Sequence, residues 1–341
     1  MNKKIFIITD YKGLFGSNWG AFPYRSGFNL LNLKNKFNNY GYTTVILNFS
    51  EVANNHEIAT GDYAIYSSTE DINFKYKDFI DDTIFFLENK GVKVIPEYKY
   101  LKATNNKVSM ELLRKVLLNN NKMLSSNVYG TFEEFKNNIT GEKLVFKKPQ
   151  GAMSRGVFLS TNKKMTSKIS KNISKTKIFK DSFKELIRSF MHKGYIKESN
   201  YRNKFIVQSF IPNLKNDFKI LIFGKKYFIF SRPVKSNDFR ASGSGFNNYS
   251  FGSECQYPKE IFSYAESIFN KMNLPHLSLD IAYDGNFFHL LEFQGLHFGT
   301  IGVIKSDIYF KNNKNYWKSF KNNTSIETVY FESIINYIES L

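Results

Sequence analysis

The sequence has almost no cysteine, since Cys255 is the only one among 341 residues. A single thiol excludes an internal disulfide and is typical of a reducing compartment, so we expect a cytoplasmic protein. Cys255 is a poor candidate for a nucleophile, because no histidine accompanies it in a suggestive motif. No apolar run is long enough to span a membrane. The apolar run near the N-terminus ends in Asp10 and predicts a first strand rather than a signal peptide.

The sequence also lacks a recognisable nucleic-acid module, although its formal charge is +18. Lysines and arginines are scattered along a chain that is rich throughout in lysine, asparagine, isoleucine and phenylalanine, and they concentrate only in 162–184. This pattern favours a chain-wide compositional bias over a nucleic-acid partner. A substrate that carries phosphate or carboxylate groups explains the same charge.

The first hundred residues alternate strand-like and helix-like segments, which predicts a parallel sheet with helices on its faces. The four predicted strands are Lys4–Asp10, Thr43–Phe49, Asp62–Ser68 and Val92–Pro96. From Phe205 onward the apolar runs predict antiparallel strands, followed by a closing helix near Ile326–Leu341. The fold class is therefore α/β with an α+β remainder, and the length predicts more than one domain. We place the domains at 1–103, 104–204 and 205–341.

A strand that ends in lysine runs into a loop of small residues in the stretch LVFKKPQGAMSRGVFLS. Gly151 and Gly156 permit positive φ and a close backbone approach, so N–H groups of this loop can point at phosphate oxygens. Lys148 adds a positive charge for the same anion. The loop lacks the GK[ST] ending of a P-loop, which argues against a Walker-type nucleotide site.

Two carboxylates and an amide interrupt the apolar stretch LSLDIAYDGNFFHLLEFQG. A two-residue turn in this hairpin would place Asp280 and Glu292 on opposite faces of the sheet. A three-residue turn, 284–286, would place Asp280 opposite Leu290, with Glu292 as its diagonal neighbour on the same face. Gln294 follows on that face, and three such oxygen ligands suit Mg²⁺, with nucleotide phosphates completing the octahedron. The alternative is that these side chains are solvated on an open sheet face.

Between these two stretches, an irregular link at 212–216 joins two predicted strands. Such a link leaves backbone N–H and C=O groups free to pair with the edge of a planar base. Asp217 and Lys219 share one face of the strand that follows, because side chains alternate with a period of two. Donors that suit a carboxylate or a phosphate come next along the chain: Arg232, Arg240 and Ser242.

In this order the pieces resemble the ATP-grasp superfamily of carboxylate–amine ligases, roughly from Asn105 to Gly299. The ribosomal-protein glutamate ligases have a D-x-R strand and a DFR-type turn, which Asp217-Phe-Lys219 and Asp238-Phe-Arg240 match. The D-alanine–D-alanine ligases share the lysine–proline strand before the small-residue loop, and the metal-binding acids. The resemblance implies an ATP-grasp fold, with two α+β subdomains that clasp ATP, after a Rossmann-like N-terminal domain.

The resemblance also implies roles for the residues that match the family motifs. The implied ATP contacts are Lys107 and Lys148 at the phosphates, Gly151, Ser154 and Gly156 in a lid, Gln208, Phe210 and Ile211 in a hinge at adenine, and Asp217 at the ribose. The implied ligands of Mg²⁺ or Mn²⁺ are Asp280, Glu292 and Gln294, where the family usually has asparagine at the third position. The implied catalytic donors are Arg240, Arg232, Lys219 and Ser242. Lys219 replaces an arginine of the closest pattern, so it keeps the charge and loses bidentate geometry.

The implied reaction is ATP-dependent formation of an amide through an acylphosphate. The expected substrates are an amine and a carboxylate, the latter from an amino acid, a peptide or a sugar-linked acid. We also expect a homodimer, as is common among similar enzymes. Two alternatives stay open from the sequence: a kinase of the same fold that phosphorylates a small molecule or a sugar, and a basic binding protein that uses no nucleotide.

Overall fold

The computed structural model describes residues 3–54, 57–69, 71–118, 124–151, 156–176, 179–234, 238–240, 248–314 and 316–341. The chain divides into two compact units. The first unit contains Met1–Thr104, Leu113–Asn119 and Leu214–Leu341, and the second contains Asn105–Leu112 and Asn120–Asn213. Two predicted site residues, Ser154 and Ser242, lie outside the described residues.

The strands of the described residues are named here in chain order. They are β1 (Lys4–Thr9), β2 (Thr43–Asn48), β3 (Tyr63–Tyr66), β4 (Lys93–Ile95), β5 (Ser126–Tyr129), β6 (Leu144–Lys147), β7 (Val157–Ser160), β8 (Phe205–Ser209), β9 (Asn216–Phe223), β10 (Lys226–Pro233), β11 (Ser250–Phe251), β12 (His276–Tyr283), β13 (Phe288–Gln294), β14 (Ile308–Asn313) and β15 (Tyr316–Lys321).

The α-helices of the described residues are named in the same way. They are α1 (Leu30–Asn39), α2 (Phe49–Asn54), α3 (Lys75–Asn89), α4 (Tyr98–Ala103), α5 (Lys107–Leu118), α6 (Phe132–Phe135), α7 (Lys163–Ser174), α8 (Phe179–Met191), α9 (Ile261–Met272), α10 (Ile301–Lys305) and α11 (Ile326–Ser340). Single 3₁₀ turns lie at Ile72–Phe74, Lys136–Asn138 and Gly252–Glu254.

The predicted parallel sheet is confirmed in the first unit, where its strand order is β2-β1-β3-β4 and every pairing is parallel. Its central strand β1 is a continuous apolar run that is fully buried from Ile5 to Ile8. A run without polar alternation is what a strand covered on both faces requires. The helix after β1 ends as predicted, since Gly41 follows it with a φ of +103°, which favours glycine.

A second sheet of the first unit is antiparallel, with the order β13-β12-β9-β10-β14-β15 and with β11 on β10. Positions 217, 219, 221 and 223 of β9 face one side of this sheet, because side chains alternate along a strand. Leu221 and Phe223 lie in the same buried core as Ile5 and Ile7 of β1. The face is therefore apolar at one end of β9 and charged at the other, where the candidate site lies.

The core of the first unit joins residues from both ends of the chain. Phe15 and Phe28, from the connection after β1, pack edge-on against Tyr330 of α11 at ring distances of 5.6 and 5.2 Å. The predicted N-terminal domain and most of the predicted C-terminal domain thus fall within one compact unit. The division into three domains stays a prediction.

The second unit has an antiparallel sheet of its own, in the order β5-β8-β6-β7. Its core is small and largely aromatic: Phe135, Phe146, Ile173, Phe205 and Val207. Strand β6 and strand β7 are joined by the small-residue loop identified in the sequence, so the sheet holds both ends of that loop. Across the described residues, no helix combines the length and the apolar character that crossing a membrane requires.

Candidate functional site

The hairpin of β12 and β13 brings Asp280 directly opposite Glu292. Neither the two-residue nor the three-residue turn considered from the sequence occurs, because Tyr283 pairs with Phe288 and leaves a four-residue loop. Asp284 shapes that loop, since its carboxylate accepts hydrogen bonds from the backbone N–H groups of residues 286 and 287 at 2.8 and 2.7 Å. A side chain that hydrogen-bonds to the backbone of its own turn stabilises that turn, which favours this loop over a tighter one.

The predicted opposition of Asp280 and Leu290 is also wrong, and a β-bulge explains the difference. Ile281 pairs with Leu290 while Asp280 pairs with Glu292, so the register shifts by one residue at this point. The bulge brings the two carboxylates into one cross-strand pair, where Cβ atoms lie about 4.5–5.5 Å apart rather than the 7–8 Å of a diagonal pair. Gln294 pairs with Ser278 two residues along the ladder and so shares their face.

Neighbouring strands add cations to this face. Lys219 of β9 pairs with Asp280, and Arg232 of β10 pairs with Asp217 of β9. We call Asp217, Lys219, Arg232 and Asp280 the charged cluster. Arg232 donates from Nε and Nη2 to the two oxygens of Asp217 at 2.6 and 2.8 Å, and from Nη2 to Asp280 Oδ2 at 2.9 Å. Lys219 Nζ donates to the other oxygen of Asp280 at 2.9 Å.

Asp217 and Arg232 are buried, with only 3% and 6% exposed, and the side chains of Lys219 and Asp280 are 12% and 15% exposed. Burial alone would raise the pKa of the Asp280 carboxyl, but Arg232 and Lys219 outweigh burial and hold that pKa well below its usual range. Burial raises the pKa of Asp217, against the opposing effect of Arg232. The two carboxylates in turn raise the pKa of Arg232, although burial opposes them. Asp280 therefore stays ionised at neutral pH.

The donors of Asp280, Glu292 and Gln294 suit a hard cation such as Mg²⁺, because all three side chains offer oxygen. Each oxygen of Asp280 accepts one hydrogen bond, and a carboxylate oxygen has a second lone pair. Gln294 Nε2 donates to Glu292 Oε1 at 3.3 Å, which keeps the amide beside the carboxylate. The candidate metal ligands are two carboxylates and one amide. Among the described residues, no three acidic, histidine or cysteine side chains lie together in a way that suits a metal ion.

Arg240 lies in a short turn that its own neighbour stabilises. Asp238 accepts hydrogen bonds from the backbone N–H groups of Phe239 and Arg240 at 2.7 and 3.1 Å. The same carboxylate binds the Arg240 guanidinium, with Nη2 to Oδ2 at 2.7 Å. Sequence reasoning gave Asp238 no role, yet it both forms the turn and orients the arginine.

The small-residue loop of the second unit has the predicted glycine conformations at its two ends. Gly151 has a φ of +123° and Gly156 a φ of +82°. Gly156 O accepts a hydrogen bond from Lys148 N at 2.8 Å, and a Cβ at Gly156 would come within 3.0 Å of the Lys148 Cβ. The loop thus begins and ends beside the predicted phosphate-binding lysine, and a side chain at Gly156 would crowd that lysine.

Lys107, the first residue of α5, is bound to the same loop. Its backbone N–H donates to Pro149 O at 2.8 Å, and its Nζ donates to Gly151 O at 2.9 Å. The two predicted phosphate contacts, Lys107 and Lys148, are therefore held at the entrance of one glycine loop. The backbone and the side chain of the first residue of α5 thus both hydrogen-bond to the loop.

The residues of the predicted adenine hinge lie near the end of β8 and just beyond it. Gln208 is buried and pairs with Ser126 of β5 and Val145 of β6. Phe210, beyond the end of the strand, lies 5.6 Å from Lys143 Nζ, and Ile211 is buried. The chain leaves the second unit after Asn213, two residues beyond the predicted hinge.

A small pocket with room for about one water molecule lies in the first unit, at the apolar end of the face that carries the charged cluster. Its walls are mainly aromatic and include Phe15, Phe28, Phe223, Phe298 and Tyr330. His276 also lines it, four residues before Asp280 on β12, which is roughly 13 Å along a strand. His276 is 2% exposed, and its Nδ1 has no hydrogen-bond partner among the described residues.

Burial lowers the pKa of His276 to about 3, so its imidazole is neutral at physiological pH. Sequence reasoning missed His276, although a histidine in an apolar strand was the available signal. It correctly set aside Cys255 as a nucleophile, since burial raises the pKa of that thiol to about 11.

Comparisons with known proteins bear on the fold. No family model and no curated protein matches the sequence. The N5-carboxyaminoimidazole ribonucleotide synthetase of Thermotoga maritima aligns over 98% of this chain and 76% of its own, with a TM-score of 0.52 and 11% identity. The D-cycloserine synthetase DcsG aligns over 97% and 99%, with a TM-score of 0.52 and 8% identity. A RimK-domain ATP-grasp protein of Sphaerobacter thermophilus aligns over 86% and 91%, with a TM-score of 0.48 and 14% identity.

Identities this low speak for the fold alone, and the two alignments with a TM-score of 0.52 cover almost the whole chain. The predicted ATP-grasp fold is confirmed, as is the predicted combination of a parallel sheet with antiparallel sheets.

Proposed function

We propose that this protein is an ATP-dependent ligase that joins a carboxylate to an amine. One observation carries the proposal: on one face of a sheet in an ATP-grasp fold, Asp280 pairs directly with Glu292 and is bound by Lys219 and by the buried Arg232. Buried charges need compensation, and here the compensation is built by strand register. Such an arrangement suits chemistry in which negative charge must be held and neutralised.

In this proposal Asp280, Glu292 and Gln294 hold Mg²⁺ or Mn²⁺. When bound, the metal neutralises charge on phosphate oxygens. Lys219 and Arg232 position Asp280 by holding its two oxygens. Arg232 also binds both oxygens of Asp217, so a contact of Asp217 with ribose stays a prediction.

The nucleotide is assigned to the loop of the second unit. Lys107 and Lys148 supply two positive charges beside the Gly151–Gly156 loop, whose glycines allow a close backbone approach to phosphate. Gln208, Phe210 and Ile211 are assigned to the adenine. The loop also has the length and glycine ends of a lid that would keep water from a reactive intermediate.

The proposed reaction has two steps. The substrate carboxylate attacks the γ-phosphorus of ATP, the bond to the β–γ bridging oxygen breaks, and an acylphosphate forms as ADP leaves. The amine nitrogen then attacks the acyl carbon, phosphate leaves, and the nitrogen loses a proton to give the amide. We assign Arg240, which Asp238 orients, to the negative charge that develops on the acyl oxygen.

The expected substrate class is the one that the resemblance implies: an amino acid, a peptide or a sugar-linked acid. We place the reaction in the cytoplasm, and a homodimer stays a prediction.

The test is an ATP-dependent hydroxamate assay with hydroxylamine as the amine and a broad panel of carboxylic acids. We expect a hydroxamate and an equal amount of ADP with at least one acid. A stable phosphorylated product that forms without any amine would instead identify a kinase. No nucleotide consumption, together with no rise in melting temperature on adding Mg²⁺ and ATP, would favour a binding protein that uses no nucleotide.

A further inference from the structure

Helix α8 of the second unit presents its apolar side to solvent. From Phe183 onward every large apolar side chain of the helix is exposed, and the exposed fraction of Phe190 reaches 83%. The exposed set is Phe183, Leu186, Ile187, Phe190 and Met191. At 3.6 residues per turn these positions form one continuous stripe. We call this stripe the apolar face of α8.

The polar side of α8 is the side that the protein covers. Glu185 accepts hydrogen bonds from the Tyr195 hydroxyl at 2.8 Å, from Glu198 N at 3.0 Å and from Arg188 Nη1 at 3.0 Å. The bond from the backbone of Glu198 is the leading cause that lowers the pKa of Glu185, so this carboxylate is ionised. The segment after the helix therefore folds back on its polar side, which is the reverse of ordinary amphipathic packing.

The two ends of the stretch that carries α8 meet at one place in the second unit. Thr176 N donates to Asn200 O at 2.8 Å, and Asn203 N donates to Ser174 O at 2.9 Å. These paired backbone bonds fix the two ends of the stretch at the end of α7. The apolar face of α8 is thus presented from a fixed base.

The same region concentrates positive charge. Residues 160–204 contain thirteen lysines and arginines against three acidic residues, a net excess of ten in a chain whose formal charge is +18. Lys184 is exposed and lies at the edge of the apolar face of α8, beside Met191, by helical spacing. After the helix, exposed Lys193 and Lys197 flank Ile196, which is 88% exposed.

We propose that the apolar face of α8 docks on the surface of an anionic lipid bilayer. A helix with an apolar face and a lysine at its edge lies in the plane of the membrane interface, with apolar side chains among the acyl chains and the cation at the headgroups. Lysine stems are long enough to keep their charge at the headgroup level. The 13 residues of α8 are too few to span a bilayer, so the contact is peripheral.

Charge complementarity selects this partner over two others. A second copy of the chain would bring the same positive excess to the contact, and like charges repel. A nucleic acid would satisfy the lysines and leave the apolar face without a partner. A bilayer with anionic headgroups satisfies both features at once.

The test is co-sedimentation of the full chain with sucrose-loaded vesicles, either of phosphatidylcholine alone or with about 30% phosphatidylglycerol. We expect at least tenfold stronger partition onto the anionic vesicles, with part of it surviving 0.5 M NaCl because the apolar term is not screened. Phe190→Ser should reduce partition at least fivefold. The matched control is Phe22→Ser, since Phe22 is 97% exposed in the first unit, and partition should not change.

Three results would overturn the proposal. One is equal partition onto both kinds of vesicle. Another is partition that Phe190→Ser does not reduce and that salt abolishes completely, which would mean that the protein binds the vesicles through charge alone. The third is that the protein does not bind vesicles of either kind and instead forms a dimer, seen by light scattering, that Phe190→Ser dissociates. The assay needs no ATP, so its failure leaves the proposed ligase activity untouched, and a failed hydroxamate assay leaves the docking surface untouched.

Discussion

The charged cluster and helix α8 depart from the usual distribution of side chains in opposite directions. The cluster buries an aspartate and an arginine and leaves a second aspartate and a lysine only 15% and 12% exposed in the first unit, whereas α8 exposes five large apolar side chains in the second. A buried charge or an exposed apolar stripe is the informative exception, because either arrangement costs free energy in isolation.

The difference lies in what compensates each exception. The buried charges are compensated inside the protein, since Arg232 and Lys219 bind both oxygens of Asp280. No residue of the described chain covers Phe190 or Ile196. Under the two proposals above, the self-compensated exception is the site of the chemistry and the uncompensated one is the contact with the membrane.

The largest effect should follow from Glu292→Gln, which keeps the shape of the hairpin and removes one charge. We expect the rate to fall by about a thousandfold or more, because the carboxylate pair loses an ionic metal ligand. Steady-state kinetics across a Mg²⁺ titration measures this. The matched control is Glu254→Gln at an exposed position of the same unit, which should retain the rate. Near-normal turnover of Glu292→Gln would refute the metal assignment.

Arg232→Met should destabilise the fold by about 3–5 kcal/mol, because removing one partner leaves Asp217 buried without its hydrogen-bonded cation. Urea unfolding followed by circular dichroism measures the loss. Arg188→Met is the paired experiment in the second unit, where an exposed arginine binds Glu185, and it should cost much less than Arg232→Met. Similar losses for the two variants would remove the distinction between the two regions.

His276 should make stability depend on pH, because its folded pKa of about 3 lies below its ordinary value. The unfolded histidine takes up a proton below about pH 6.5, whereas the folded one stays neutral. This contribution is therefore complete above pH 6.5 and is lost as pH falls, by about 1.4 kcal/mol per pH unit. Urea unfolding at pH 7 and pH 5 should show a smaller loss for His276→Gln than for the unmodified chain. Equal losses would contradict the buried neutral imidazole.

The smallest effect should come from Phe190→Ser in the absence of membranes. Because this side chain is exposed, its replacement should change the free energy of unfolding by no more than about 0.5 kcal/mol. Urea unfolding of the two proteins side by side measures it. A loss of several kcal/mol would mean that the apolar face of α8 is packed within the protein, and the comparison would fail.

The sequence predicted the elements whose signal is local. The strands of the parallel sheet follow from apolar runs, and Gly41, Gly151 and Gly156 follow from backbone conformations that glycine favours. Asp280 and Glu292 stood out because a charge in an apolar strand requires a partner. Each of these inferences depends only on residues that are close together in the sequence.

What the sequence could not predict depends on register between distant strands. The bulge between Asp280 and Ile281 decides which residue faces Asp280, and a turn of four residues instead of three follows from the hydrogen bonds of Asp284. Arg232 reaches Asp280 only because β9 lies between β10 and β12. Whether the stripe of α8 is covered is likewise a property of the whole fold.

The two backbone bonds that join Ser174 with Asn203 and Thr176 with Asn200 have an evolutionary consequence. A stretch whose ends are already held together can be lengthened, exchanged or removed with little change to the sheet that carries it. Under the proposed docking, selection can alter membrane binding by changing this one stretch, while the glycine loop and the charged strands stay the same.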